Sequence, residues 1–355
     1  MGKGRNGIVR DGDERDLKGI LSLRKVVFGE MEKDKLDPGF WRWEFMEGPD
    51  GKAFIYIIED GERVVGHFAD IPRQFSVNGE AVLGTISVDL MVHPDFRRKG
   101  FFFKMGQYAA QRVQSKSGDF MISFPIRTET INGFKKLGWK ILSELPVLVY
   151  PIRFRGIVLR YLPSSFLSSV IGGIMKLFHS LIFSGRKGKG GEGFEIDEVT
   201  QIDDPFDQFC QKALSLHPIM GVRSPAFFKW RYLHHPTRTY TIYRAMKQGV
   251  MRGYIVLRKV DLLQFNSAVI VDLLASDEEG LAALVEKGIE YSQRQGADLL
   301  GFMLPKGHDY EKILRRKGFL PSLKTFLLMV YPCIEKKPLL SATNWYVTWG
   351  DTDVI

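Results

Sequence analysis

At 355 residues the chain is too long for one ordinary core, and 45% apolar content is that of a globular protein, so a disordered chain or a single small module is excluded. The only two cysteines, Cys210 and Cys333, exclude a disulfide framework and offer no metal-ligand spacing; no metal is expected, and a reducing cytoplasm is the simplest setting. The net charge of +9 does not argue for nucleic acid: Pro151 to Gly191 holds seven basic residues and no acid, which leaves +2 for the rest and no long basic stripe.

The N-terminus, MGKGRNGIVRDGDERD, has neither the apolar run of a secretory signal nor a myristoylation pattern. IVRDGDERDLKGILSLRKVVF reads as a short strand and then a helix opened by acids. KAFIYIIE, ERVVGHFADIPRQFSV and EAVLGTISVDLMVH read as consecutive antiparallel strands, joined at the hairpin signals Asp60-Gly61 and Asn78-Gly79. The helix FFFKMGQYAAQRVQ follows, then DFMISFP as a buried strand, INGFKKLG as a short helix and WKILSELPVLVYP as a closing strand. SFLSSVIGGIMKLFHSLIF, within the basic segment, has helical periodicity. Packing across two units is its leading use, with peripheral contact to an anionic membrane through 164–189 as the competitor; Pro163, Lys176, His179 and its length speak against a span.

The chain repeats itself. Phe40, Arg42, Trp43, Phe45, Met46 and Pro49 recur as Phe227, Lys229, Trp230, Tyr232, Leu233 and Pro236, Gly66 recurs as Gly253, the VDL at Val88 recurs at Val271, and FKKLGW at Phe134 recurs as LRRKGF at Leu314. The expected organisation is one unit over 1–150, a basic amphipathic helical linker over 151–192, a second unit over 193–335 and an aromatic, acidic tail over 336–355.

Val88 to Phe102, VDLMVHPDFRRKGFF, carries the chemistry. An apolar strand enters a basic turn that opens a helix, where unpaired N–H groups and the helix dipole favour an anion. Arg97, Arg98 and Lys99 add side-chain charge, and Gly100 lets a diphosphate approach the amides of Phe101 and Phe102. In the second unit Asp277, Glu278 and Glu279 stand in the place of Arg97, Arg98 and Lys99; they suit a helix cap and would repel a diphosphate.

This stretch resembles motif A of the GNAT acyltransferases at Val92, Pro94, Arg97 and Gly100, with Phe102 where that pattern has a small residue. The resemblance implies a mixed α/β (α+β) fold, a mainly antiparallel sheet flanked by helices, present as two tandem copies. It also implies acetyl-CoA or a related acyl-CoA as co-substrate, held by Arg97, Arg98, Lys99, Gly100, Phe101 and Phe102, with a primary amine attacking directly in a ternary complex. The amide of Met91 or Val92 would meet the carbonyl oxygen. Asp89 is the first candidate base and Glu129 the second. Phe134 stands where many relatives place a tyrosine, and Arg127, where an asparagine is usual, is expected to pair with the CoA phosphates or with an anionic acceptor, a surface salt bridge being the plain alternative; His93 is read as a surface or capping residue. The acceptor, a small-molecule or sugar amine, is expected between the two copies, with Trp345, Tyr346, Trp349 and Asp351 of the tail as a candidate lining and Asp353 beside them. Rival readings are a tRNA-dependent aminoacyl transferase of similar architecture and a non-catalytic protein that binds CoA or a membrane surface.

Overall fold

The computed structural model describes residues 7–29, 33–159, 165–184, 193–262, 265–334 and 337–352. In chain order the first half contains β1 (Val9–Gly12), α1 (Leu17–Phe28), α2 (Pro38–Met46), β2 (Phe54–Asp60), β3 (Arg63–Val77), β4 (Glu80–Val92), α3 (Phe101–Ser115), β5 (Phe120–Ser123), α4 (Thr128–Lys136) and β6 (Lys140–Pro151). Helices α5 (Phe154–Leu159) and α6 (Ser165–Ser184) follow. The second half contains β7 (Glu195–Glu198), α7 (Asp204–Ala213), β8 (Ile219–Gly221), α8 (Pro225–Phe228), β9 (Thr241–Lys247), β10 (Val250–Leu262), β11 (Phe265–Ala275), α9 (Glu278–Arg294), β12 (Leu299–Met303), α10 (Asp309–Lys317) and β13 (Leu320–Pro332), with β14 (Trp345–Tyr346) in the tail. Local chemistry sets the boundaries. Asp37 accepts the Phe40 N–H at 2.8 Å with Pro38 in the first turn of α2, and both turn residues between β3 and β4, Asn78 and Gly79, have positive φ (53° and 86°) as a type I′ hairpin requires.

All the strands join in one sheet, whose main path runs β1-β2-β3-β4-β5-β13-β6-β12-β11-β10-β9-β7. Read from either end, the path passes an outer strand, three antiparallel strands, a parallel neighbour and a closing strand. The closing strands differ from the sequence expectation. WKILSELPVLVYP, read as the last strand of its own unit, does not pair with β5; β13 does, from Met329↔Ser123 to Pro332↔Phe120. In exchange β6 pairs with β12, from Leu299↔Pro151 to Met303↔Val147, and with β13. Crossing over lets each half cover the edge that the other would expose at the centre.

Strand alternation gives the first half two apolar faces. Ile20, Leu23, Trp41 and Phe45 of α1 and α2 pack with Ile55, Ile57, Ala69, Val88 and Met91, whereas Met105, Ala109, Val113 and Phe134 of α3 and α4 pack with Tyr56, Ile58, Phe68 and Met121. A larger core unites the second half with the closing strands and the tail residues Trp345 and Trp349.

Helix α6 forms where periodicity predicts it, with a different neighbour from the leading expectation. Its main packing partner is α5, which meets it at Ser168 and Gly172; a Cβ on Gly172 would lie 2.8 Å from the Arg155 backbone nitrogen. No helix among the described residues is long and apolar enough to cross a membrane.

Candidate active site

Between β4 and α3 the chain makes a 3-10 turn over Pro94–Phe96, extends at Arg97, takes left-handed φ at Arg98 (63°) and Gly100 (76°), and enters the helix at Phe101. Only a glycine occupies the left-handed region at little cost, and Gly100 stands at the helix N-cap. No side chain caps this helix; its first backbone bond is Lys104 N–H to Gly100 C=O, 3.1 Å, so the amides of Phe101, Phe102 and Phe103 lack intrahelical partners. Arg97, Arg98, Lys99 and Gly100 are exposed around those amides. The bulk of Phe102 is turned away from the turn onto α4, against Phe134 at 5.7 Å and over Gly133, whose missing side chain makes the room. Phe134 is buried among Phe68, Phe102 and Trp139 and offers no hydroxyl.

The turn adjoins a gap in the sheet. Strands β4 and β5 are paired from Gly84↔Phe120 to Ile86↔Ile122, and past Ser123, whose hydroxyl donates to Ser87 C=O at 3.0 Å, they part. On its other side β4 follows β3 through a bulge: Val88 faces Ala69 but Met91 faces His67, with Asp89 at φ 52° between them. Since His93 N–H donates to Val65 C=O at 2.9 Å, the alternation of an antiparallel ladder ties Met91 N–H to β3 and turns Val92 N–H toward the gap. Of the two amides, Met91 and Val92, the register leaves Val92's facing the gap.

Asp89 corrects the sequence expectation of a carboxyl with raised pKa. Its carboxylate accepts from Arg24 Nε at 2.7 Å, with Lys35 Nζ 3.5 Å away. Burial alone would raise its pKa, but the Arg24 and Lys35 charges prevail and hold it well below the usual carboxylate range. A carboxylate kept ionised in this way is a weak proton acceptor. Arg24, fully buried on α1, also donates to Glu44 Oε2 on α2 at 2.7 Å and to Lys35 C=O at 2.8 Å. Of the two carboxyls in the cluster, Glu44 is the one whose pKa is raised: burial outweighs the opposing Arg24 charge. Sequence reasoning missed both residues. A signal existed, because Ile20, Leu23, Arg24 and Val27 share one helical face, and an arginine on an apolar face calls for buried acids. Glu129 and Arg127 lie exposed at the start of α4; Glu129 makes no hydrogen bond or ion pair among the described residues, while the Arg127 guanidinium sits 5.9 Å from the Phe28 ring. His93 caps the turn, accepting from Asp95 N–H at 3.3 Å, but is buried rather than at the surface.

A cavity of about 40 Å³, room for a few waters, lies between the halves beside Ile86 and Val88 of β4. Glu44, Trp43, Trp230, Phe227, Arg73 and Asp351 are among its walls. Trp43 Nε1 donates to Trp230 C=O and Trp230 Nε1 to Trp43 C=O, each at 2.9 Å, with the rings stacked 4.8 Å apart. Two residues at matching repeat positions thus contact each other reciprocally, as across a twofold axis. Arg73 is buried over the Phe227 ring, 3.6 Å from its centroid; Asp50 lies 3.4 Å from Nη1, and Nε and Nη2 have no partner among the described residues. The tail is both docked and part of this wall: β14 pairs with β8, and Gly350, Asp351 and Thr352 reach the cavity. Asp353 lies outside the described residues.

The second half keeps the scaffold and changes the turn. Asp272 is gripped by Arg223, which also donates to Asp351 at 2.6 Å, much as Arg24 holds Asp89. Where α3 is uncapped, α9 is capped: Asp277 accepts Gly280 N–H at 2.7 Å.

Residues 9–142 match the family model of the Acetyltransferase (GNAT) domain, and no curated protein matches the chain. Among solved structures, a GCN5-related N-acetyltransferase from Anabaena variabilis aligns with TM-score 0.66 at 12% identity, covering 92% of this chain and 72% of that one. A probable N-acyltransferase from Enterococcus faecalis gives 0.65 at 11%, covering 92% and 72%. Saccharomyces cerevisiae N-myristoyltransferase with bound myristoyl-CoA gives 0.61 at 11%, covering 95% and 85%. Identities this low speak for the fold. Residues 9–142 are therefore similar to a GNAT domain, and the fold of the chain, a mainly antiparallel sheet flanked by helices, is GNAT-like.

Proposed function

We propose that the chain is an acyl-CoA-dependent N-acyltransferase, with acetyl-CoA as donor and a primary amine as acceptor, built as two tandem GNAT-like copies of which the first holds the donor. The carrying observation is the uncapped start of α3 beneath the exposed Arg97, Arg98 and Lys99, next to the gap between β4 and β5. Arg97, Arg98, Lys99 and the amides of Phe101 and Phe102 fit a diphosphate, and Arg127 a further phosphate. The donor supplies a thioester carbonyl; Val92 N–H is aimed to hydrogen-bond its oxygen. The capped, acidic start of α9 disfavours a second donor there.

The acceptor is assigned to the cavity on the α1–α2 face. Glu44, in its wall with a raised pKa, is the group we assign to take the ammonium proton; Asp89 instead positions Arg24 and the bulge, and the solvent-exposed Glu129 is left without a role in proton transfer. The two nitrogens of Arg73 left without a partner among the described residues favour an acceptor whose amine-bearing end, small enough for a space of a few waters, carries an anionic or carbonyl oxygen near its amine. Two free cysteines suit a cytoplasmic location.

Calorimetry with acetyl-CoA tests the reading. The wild type should bind, and Arg97→Glu/Arg98→Glu should weaken binding by about 3–6 kcal/mol, two charge-assisted contacts. Unchanged affinity would place the donor elsewhere, and binding without turnover over a panel of amines would leave only a CoA-binding protein.

A further inference from the structure

Helix α6 is amphipathic the wrong way round. Its small residues Ser168 and Gly172 are buried toward α5, while Phe166, Val170, Ile174, Leu177 and Leu181, spaced by three or four, form a stripe on the opposite side. These side chains are solvent-exposed, Phe166 to 76%, Leu177 to 60% and Leu181 to 68%. At 1.5 Å per residue the 20-residue helix is about 30 Å long, so the stripe is continuous and far larger than an isolated surface leucine.

Charge identifies what covers it. The chain from Pro151 to Gly191 contains Arg153, Arg155, Arg160, Lys176, Arg186, Lys187 and Lys189 and no acid; Arg153 pairs with Asp298 at 3.0 Å. Lys176 is exposed on α6 itself; Arg160, Arg186, Lys187 and Lys189 flank the helix in sequence. A protein groove would cover the apolar stripe equally well, but it would not explain why the protein's excess positive charge falls in the same sequence segment as that stripe. An interface between water and anionic lipid explains both, since apolar side chains enter the acyl boundary while each nearby Lys or Arg gains about 1 kcal/mol from the surface potential.

We propose that α6 docks the protein, lying flat, on an anionic membrane surface. Without this face the rest of the fold is complete, so docking is separable from binding of any acyl donor.

The test is cosedimentation of the full chain with phosphatidylserine–phosphatidylcholine vesicles and with phosphatidylcholine alone. Binding to the anionic vesicles should weaken about tenfold or more from low to high salt. It should be lost in Ile174→Glu/Leu177→Glu, whose exposed positions leave the fold intact by circular dichroism, and kept in Leu323→Glu, an exposed apolar site on β13. Light scattering of the same variants separates the competing occupant: a dimer that Ile174→Glu/Leu177→Glu converts to monomer assigns the stripe to a second copy and overturns the proposal. Absence from the pellet at low salt, or sedimentation indifferent to Ile174→Glu/Leu177→Glu, overturns it as well.

Discussion

Replacing Arg24 by methionine removes a guanidinium that joins α1, α2 and β4. It leaves the stem volume but strips a fully buried cation from two buried carboxylates, Asp89 and Glu44, each 2.7 Å from one of its nitrogens. Breaking a buried ion pair on one side costs about 3–5 kcal/mol, because the surviving charge is uncompensated. The loss should depend on pH with a definite sign. In the wild type Asp89 is depressed below its unfolded value, so its pairing stabilises at neutral pH and the benefit is lost as pH falls through the acid range. In the variant both carboxyls titrate upward, so the native state retains protons that the unfolded chain releases, and the penalty shrinks as pH is lowered. Denaturant titrations at neutral and mildly acid pH measure both effects, and Asp89→Asn/Glu44→Gln in the same background should recover most of the loss. An Arg24→Met protein as stable as wild type at neutral pH would refute the description of this cluster as a paired, buried triad.

Glu44→Gln should lower kcat by about 10²–10⁴ while leaving acetyl-CoA affinity by calorimetry unchanged; equal turnover would remove Glu44 from proton transfer. Trp43→Ala and Trp230→Ala should each cost about 3–5 kcal/mol, and the double variant less than their sum by about 0.5–3 kcal/mol, since either change breaks the same reciprocal contact; strict additivity in urea melts would contradict it. Burial lowers His67 to about 4 and His217, beside His308, to about 3, so the unfolded chain takes up protons first and stability should fall as pH drops from 6.5 toward 4. Asp70, raised by burial to about 6, opposes this in the same window, and His67→Gln should flatten the thermal-melting profile by about 2 kcal/mol at pH 5; a steeper profile would reverse the assignment.

The order of elements, the two hairpins and the basic turn before α3 were legible in the sequence because each rests on neighbours in the chain. Alternation of period two, Asn-Gly geometry and a glycine after three basic residues act within about ten positions. The repeated pattern was legible for a similar reason: similar residues in the same order, at offsets that drift only from 187 to 180, need no coordinates. Long-range pairings were not. The exchange of β6 and β13 depends on which sheet edge each strand meets, and two closing strands of similar pattern fit either edge. Asp89 could not be told from a poised base until Arg24, 65 residues away, was seen against it, since the same carboxyl moves up when alone in an apolar site and down beside a guanidinium. Likewise the periodicity of α6 announced a helix with an apolar stripe, but only its placement on α5, by way of Ser168 and Gly172, turned that stripe outward.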